Sequence, residues 1–144
     1  MIACVNFYDP QVVELVNSDV PVVTIDHVFN NRMAVLSDNV AGLKALVKQA
    51  WACGHRRIAF IHGEKTSVTE NRIAGFYQAC EELGLEIPEE YVRDGVYHDV
   101  ERCAEETRAL LALPQRPTCI IFPDDFSALG GYNALAEAGL SIPD

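Results

Sequence analysis

Polar and aromatic side chains recur where the apolar runs of this sequence give out. They are Asn6, Asp26, the loop at 62–70 with Arg72 just beyond it, Tyr97 and Asp124. In an open α/β sheet, ligands bind beyond the carboxyl ends of the strands, which is where these residues fall. Carboxylates, an amide and a guanidinium make directional hydrogen bonds to hydroxyls, and a ring can pack on the apolar face of a sugar. Such a set suits recognition of a polyol. For Arg72 the spacing predicts the first turn of a helix, where the dipole favours acids over bases. A cation there implies either ligand binding or a surface salt bridge. Tyr97 suits stacking on a ligand or ordinary packing. Asn6 and Asp26 suit ligand contact or turn capping. Asp124 is a ligand candidate, and Asp125 is expected to cap the helix that follows.

Other chemistries find no support. There is no G-x-S-x-G elbow, no phosphate-binding loop and no G-x-G-x-x-G. His62 and Glu64 do not make a metal ligand set. His27 and His98 are isolated, and His55 reads as structural, at a helix–strand junction. The five cysteines (Cys4, Cys53, Cys80, Cys103 and Cys119) are odd in number and widely spaced, with no C-x-x-C. That pattern argues against a disulfide framework and a zinc site and fits a reducing compartment. Neither catalysis, nor a metal, nor a cofactor is expected.

The elements that must position these side chains alternate along the chain. Strands are expected at 2–5, 21–25, 34–36, 57–61, 91–96 and 118–122. Helices are expected from Asp9-Pro10, over 39–53, over about 69–83, over 99–112 and over 125–138. Asp9 suits the N-cap and Pro10 the first helical position. Gly54 and Gly84 stop two of the helices, because glycine takes the left-handed conformation without strain. Asp38 is the better N-cap of the helix over 39–53, with Asn39 opening it; either residue could face the cleft. Gly130-Gly131 inside a helix implies close approach of another backbone, at a subunit contact or against the sheet. The irregular stretch 27–36, with its Asn30-Asn31 turn signal, reads as a crossover between two lobes. Alternation of this kind argues for a Rossmann-like parallel sheet with helices on both faces.

The chain has 144 residues, 49% of them hydrophobic, so it can form a core. Its formal net charge is -10, with 11 basic residues against 21 acidic ones. That balance suits no nucleic-acid surface, which needs clustered cations. No signal peptide or membrane-length apolar run is present, so a cytoplasmic protein without membrane contact is expected. The sequence opens on a strand and closes at 141–144, where another strand is expected. It therefore reads as a fragment of a larger protein.

The segment GHRRIAFIHG at 54–63 resembles the helix-to-strand junction of LacI/purine-repressor-type regulators. The neighbouring segments agree in order and spacing: PVVTID at 21–26, SDN-x-x-G at 37–42, NRIAGFYQAC-x-x-x-G at 71–84 and RPTCIIFPDDFSALGGYNAL-x-x-AGL-x-IP at 116–143. The resemblance covers essentially the whole chain. It implies a periplasmic-binding-protein-like type I fold, truncated, with part of the first lobe at 1–36 and part of the second at 37–144. It implies an effector, a sugar or a nucleobase, held between the lobes of a homodimer by Arg72, Asp124, Tyr97, Asn6 and Asp26. Operator DNA would be bound through a helix-turn-helix that this chain lacks. Many relatives carry Asn at the place of Asp124, which changes what that side chain can donate. The alternative is the solute-binding protein of a transporter, which shares the fold.

Overall fold

The computed structural model describes residues 9–29 and 32–143. The expected strand at 2–5, the candidate Asn6 and the Asn30-Asn31 turn lie outside the described residues. The chain divides into two compact units, Met1–Asp38 and Asn39–Asp144. Each is a small parallel α/β assembly.

In the first unit, helix α1 (Pro10–Asn17) precedes strands β1 (Val23–Ile25) and β2 (Met33–Val35). Asp9 caps α1 by accepting a hydrogen bond from the Gln11 amide at 2.8 Å, and proline fills the first helical position. The other end of α1 has carbonyls without helical partners. Arg32 reaches two of these C-terminal acceptors, Val16 O from Nε at 2.6 Å and Ser18 O from Nη2. Strands β1 and β2 pair in parallel, Val23 against Met33 and Ile25 against Val35.

The second unit runs α2 (Asn39–Ala52), β3 (Ile58–His62), α3 (Ser67–Glu82), a short 3-10 turn (Glu89–Tyr91), β4 (Val92–Asp94), α4 (Val100–Leu111), β5 (Cys119–Ile121) and α5 (Asp125–Glu137). All three strands are parallel, in the order β4-β3-β5. The central strand reads Ile-Ala-Phe-Ile, and its first four residues are buried on both faces. A continuous apolar run is what a strand covered on two sides requires. Ile58 and Phe60 face α2 and α3, where they meet Leu43, Val47, Phe76, Ala79 and Cys80. Ala59 and Ile61 face the other way and meet Tyr91, Cys103 and Leu110. Burying one such large side chain contributes about 1.5–3 kcal/mol. The Phe60 and Phe76 rings meet at 5.4 Å between centroids, within the range of favourable aromatic pairs.

The start of α3 and the cap of α5 differ from expectation. Helix α3 begins at Ser67, two residues before the expected 69, because Thr66 is the cap: its hydroxyl accepts from the Thr69 amide at 3.2 Å. Arg72 therefore lies in the second turn, beyond the strongest part of the helix dipole. The cap of α5 is Asp124, whose Oδ1 accepts from the Ser127 amide at 2.7 Å, and Asp125 is the first helical residue. The expected helix stops hold, with Gly54 at φ +97° and Gly84 at φ +64°. Among the described residues no helix is long and apolar enough to cross a membrane.

Candidate functional site at the carboxyl edge of the second sheet

Loops leaving β3, β4 and β5 meet at one edge of the second sheet, because parallel strands all present their carboxyl ends there. Three of the expected residues come together on these loops and the adjoining helix: Arg72, Tyr97 and Asp124.

The Arg72 guanidinium spans this edge. Its Nε donates to the Asn39 side-chain oxygen at 2.9 Å, and its Nη1 donates to the Pro123 carbonyl at 2.8 Å. Asn39 starts α2 and is nearly buried, and Pro123 follows β5. One cation thus joins a helix start to a strand end. Its central carbon also lies 5.8 Å from the centre of the Tyr97 ring, within reach of a cation–π attraction. Nη2 has no hydrogen-bond partner among the described residues.

Tyr97 is held on several sides. Its hydroxyl pairs with the Thr69 hydroxyl at 2.8 Å. Its ring occupies the space a side chain on Gly63 would need: a Cβ there would stand 2.1 Å from a ring carbon. Its backbone amide donates to the Glu64 carboxylate at 2.8 Å.

Asp124 has two engagements besides any ligand. Oδ1 caps α5, and Oδ2 accepts from the His98 amide at 3.0 Å, with His98 Nδ1 at 3.6 Å. Burial pushes this carboxyl up. The Ser127 and His98 amides outweigh that effect, and the net displacement is below the ordinary carboxylate value. Asp124 is thus an ionised hydrogen-bond acceptor at this edge.

Asp26 lies at the end of β1 in the first unit, at φ 57°. Its Oδ1 accepts from the Ser37 amide at 2.9 Å, eleven residues further along and just past β2. His55 bonds Thr118 through Nδ1 at 3.0 Å, at the opposite edge of the second sheet. His62 meets Asp94 at 3.3 Å and the Gly63 carbonyl at 2.8 Å. No group of three metal-ligating side chains occurs among the described residues.

Thr69 and Glu64 belong to the 62–70 loop expected at this edge, but the sequence singles out neither for a role at the site. Thr69 is 1% exposed and turns its hydroxyl to Tyr97. A threonine on a buried helical face carries no sequence signal for that role. Glu64 by itself reads in the sequence only as half of a metal ligand set, whereas its carboxylate serves a backbone amide.

The periplasmic binding protein-like domain family matches residues 47–144. The HTH-type transcriptional repressor PurR of Haemophilus influenzae (strain PittEE) is 33% identical over 129 residues, covering 88% of this chain and 38% of the repressor. The ribose operon repressor of Haemophilus influenzae (strain ATCC 51907 / DSM 11121 / KW20 / Rd) is 31% identical over 126 residues, 85% of this chain and 38% of the repressor. A crystal structure of a LacI-family regulatory protein from Chloroflexus aggregans superposes with a TM-score of 0.81 at 30% identity, over 96% of this chain and 50% of that one. The chain thus spans well under half the length of these curated relatives.

Proposed function

The chain belongs to the periplasmic binding protein-like domain family, as a stretch of the effector-binding region of LacI-family transcriptional regulators, and from that premise we propose that its carboxyl-edge cluster captures a small polar effector. A sugar is the first candidate and a nucleobase the second. The observation that carries this reading is the placement of Arg72. Two acceptors, Asn39 and Pro123, fix the guanidinium across the strand ends, which leaves Nη2 to donate to an oxygen of the effector. Tyr97 supplies a ring beside it.

In the whole protein the effector acts by changing operator affinity. A ligand that prefers one arrangement of the protein shifts the population toward it, and DNA binding follows. The DNA is gripped by a helix-turn-helix outside this chain, in a cytoplasmic homodimer. A net charge of -10 fits a sensor that does not itself touch phosphates. The named relatives are repressors, which favours a regulator over a transporter's binding protein or an enzyme.

Calorimetry of the whole protein against sugars and nucleobases, D-ribose first because one relative is named for a ribose operon, tests the reading. One member of the screen should bind, and Arg72→Ala should abolish the heat. Binding that survives Arg72→Ala unchanged would remove this site from consideration.

A further inference from the structure

The turn after β4 is held from both sides by carboxylates. Gly95 donates its amide to the His62 carbonyl at 2.8 Å, and the Val96 carbonyl accepts from the Ser127 hydroxyl at 3.2 Å. Those bonds tie the base of the turn to the neighbouring strand and helix. The next two amides point to acids. Tyr97 N donates to Glu64 Oε2 at 2.8 Å, from the loop after β3. His98 N donates to Asp124 Oδ2 at 3.0 Å, from the loop after β5. His98 itself is left-handed, at φ 60°, an uncommon backbone conformation for a residue other than glycine.

The Tyr97 ring over Gly63, its hydroxyl on Thr69 and its position beside Arg72 all follow from where the backbone of residue 97 lies. Asp124 has a second task in capping α5. Glu64 is exposed and makes this one hydrogen bond among the described residues. A short hydrogen bond to a charged acceptor is among the stronger polar contacts a loop can have.

We propose that Glu64 is a positioning residue of the effector site: its carboxylate holds the Tyr97 amide, and through it the ring that flanks Arg72. The part of this inference that concerns affinity rests on the function proposed above, while the part that concerns the turn does not. Glu64 touches no effector and acts only through Tyr97. A glutamine there keeps an acceptor oxygen on the same stem, so Glu64→Gln preserves the geometry. Glu64→Ala removes it without adding bulk at an exposed site.

The test is residue-resolved amide hydrogen exchange on the whole protein, in the wild type, Glu64→Ala and Glu64→Gln, together with calorimetry using D-ribose and adenine as probes. The Tyr97 amide should exchange about tenfold faster in Glu64→Ala and within about threefold of wild type in Glu64→Gln. Whichever probe binds the wild type should bind Glu64→Ala about tenfold more weakly, with binding restored in Glu64→Gln. Unchanged Tyr97 exchange in Glu64→Ala would overturn the proposal. So would a Glu64→Gln variant as impaired as Glu64→Ala. If neither probe binds the wild type, the exchange rates still decide the role of Glu64, and the failure belongs to the effector reading alone.

Discussion

The carbonyl oxygen of Val100 stands 2.0 Å from the point where a Cβ on Gly130 would be. The Ala104 backbone nitrogen is 2.8 Å from the same point, so helices α4 and α5 meet backbone against backbone. Gly131, the next residue, faces the Phe122 ring instead. The glycine pair is explained within the chain, and no subunit contact is required for it.

Gly130→Ala should therefore destabilise the protein, although alanine is the better helix former by about 1 kcal/mol. Backbone atoms cannot swing aside as a side-chain tip can, so the two helices must separate. A net loss of about 2–3 kcal/mol in denaturant unfolding is expected. Gly42 supplies the contrast. It lies within α2 with nothing inside 4 Å of its would-be Cβ. Gly42→Ala should stabilise by roughly 0.5–1 kcal/mol. Equal effects at the two sites would show that the α4–α5 approach is looser than described.

Asn39→Ala should weaken effector binding by loosening Arg72. The variant takes away the acceptor for Arg72 Nε and leaves Pro123 as the remaining anchor. A partly buried guanidinium N–H without a partner costs about 1–3 kcal/mol, and the side chain will turn to water rather than bear it. Titration calorimetry should show affinity falling about tenfold. Asn39→Asp keeps an acceptor and should stay within about threefold of wild type. An Asn39→Ala protein that binds as well as the wild type would show that Arg72 does not need this anchor.

Much of this fold is legible in the sequence, and the reasons are local. The run Ile58–Ile61 is apolar on both sides, and only a central parallel strand wants that. Asp9-Pro10 and Gly54 are chemical punctuation for a helix start and a helix stop. The errors arise where local chemistry is degenerate. Thr66 and Thr69 can each cap a helix, as can Asp124 and Asp125, and only the hydrogen bonds to Thr69 N and Ser127 N separate them. Site geometry is less legible still. Arg72 meets a residue 33 positions away, and Glu64 meets an amide 33 positions away, across loops whose course depends on the packed sheet. Periodicity marks which face of a helix is buried, but it cannot show that a carboxylate belongs there.

Glu106 is that carboxylate. Its side chain is 8% exposed on α4, and it pairs with Arg93 Nε at 2.7 Å and Arg102 Nη2 at 2.5 Å. Both arginines reach solvent, at 34% and 41%. The burden of burial falls on the acid. Replacing it with an apolar side chain of similar volume removes a buried charge and frees two cations that water can take up. Glu106→Met should cost no more than about 1 kcal/mol. Removing both arginines together strands the buried carboxylate and should cost about 3–5 kcal/mol. Urea unfolding of the two variants checks the order. A Glu106→Met variant as unstable as the double arginine variant would contradict this account.

Glu82 gives the protein a pH dependence of defined sign. It accepts from Lys44 at 2.5 Å and Lys48 at 2.8 Å, which ties the end of α3 to α2. The Lys44 hydrogen bond first, then that of Lys48, hold its carboxyl at about 2, well below the ordinary 4.5. A carboxyl depressed on folding binds its proton more readily in the unfolded chain. Its stabilisation is therefore complete above about 4.5 and fades as pH falls toward about 2. The pair is exposed, so the effect is modest and salt weakens it. The Tm of Glu82→Gln should lie below that of the wild type at neutral pH. The gap should close as the pH is lowered through this window, and it should also narrow in about 1 M salt, where screening acts within a few ångströms. A gap that persists at pH of about 2 would mean that Glu82 stabilises α3 by packing and not by charge.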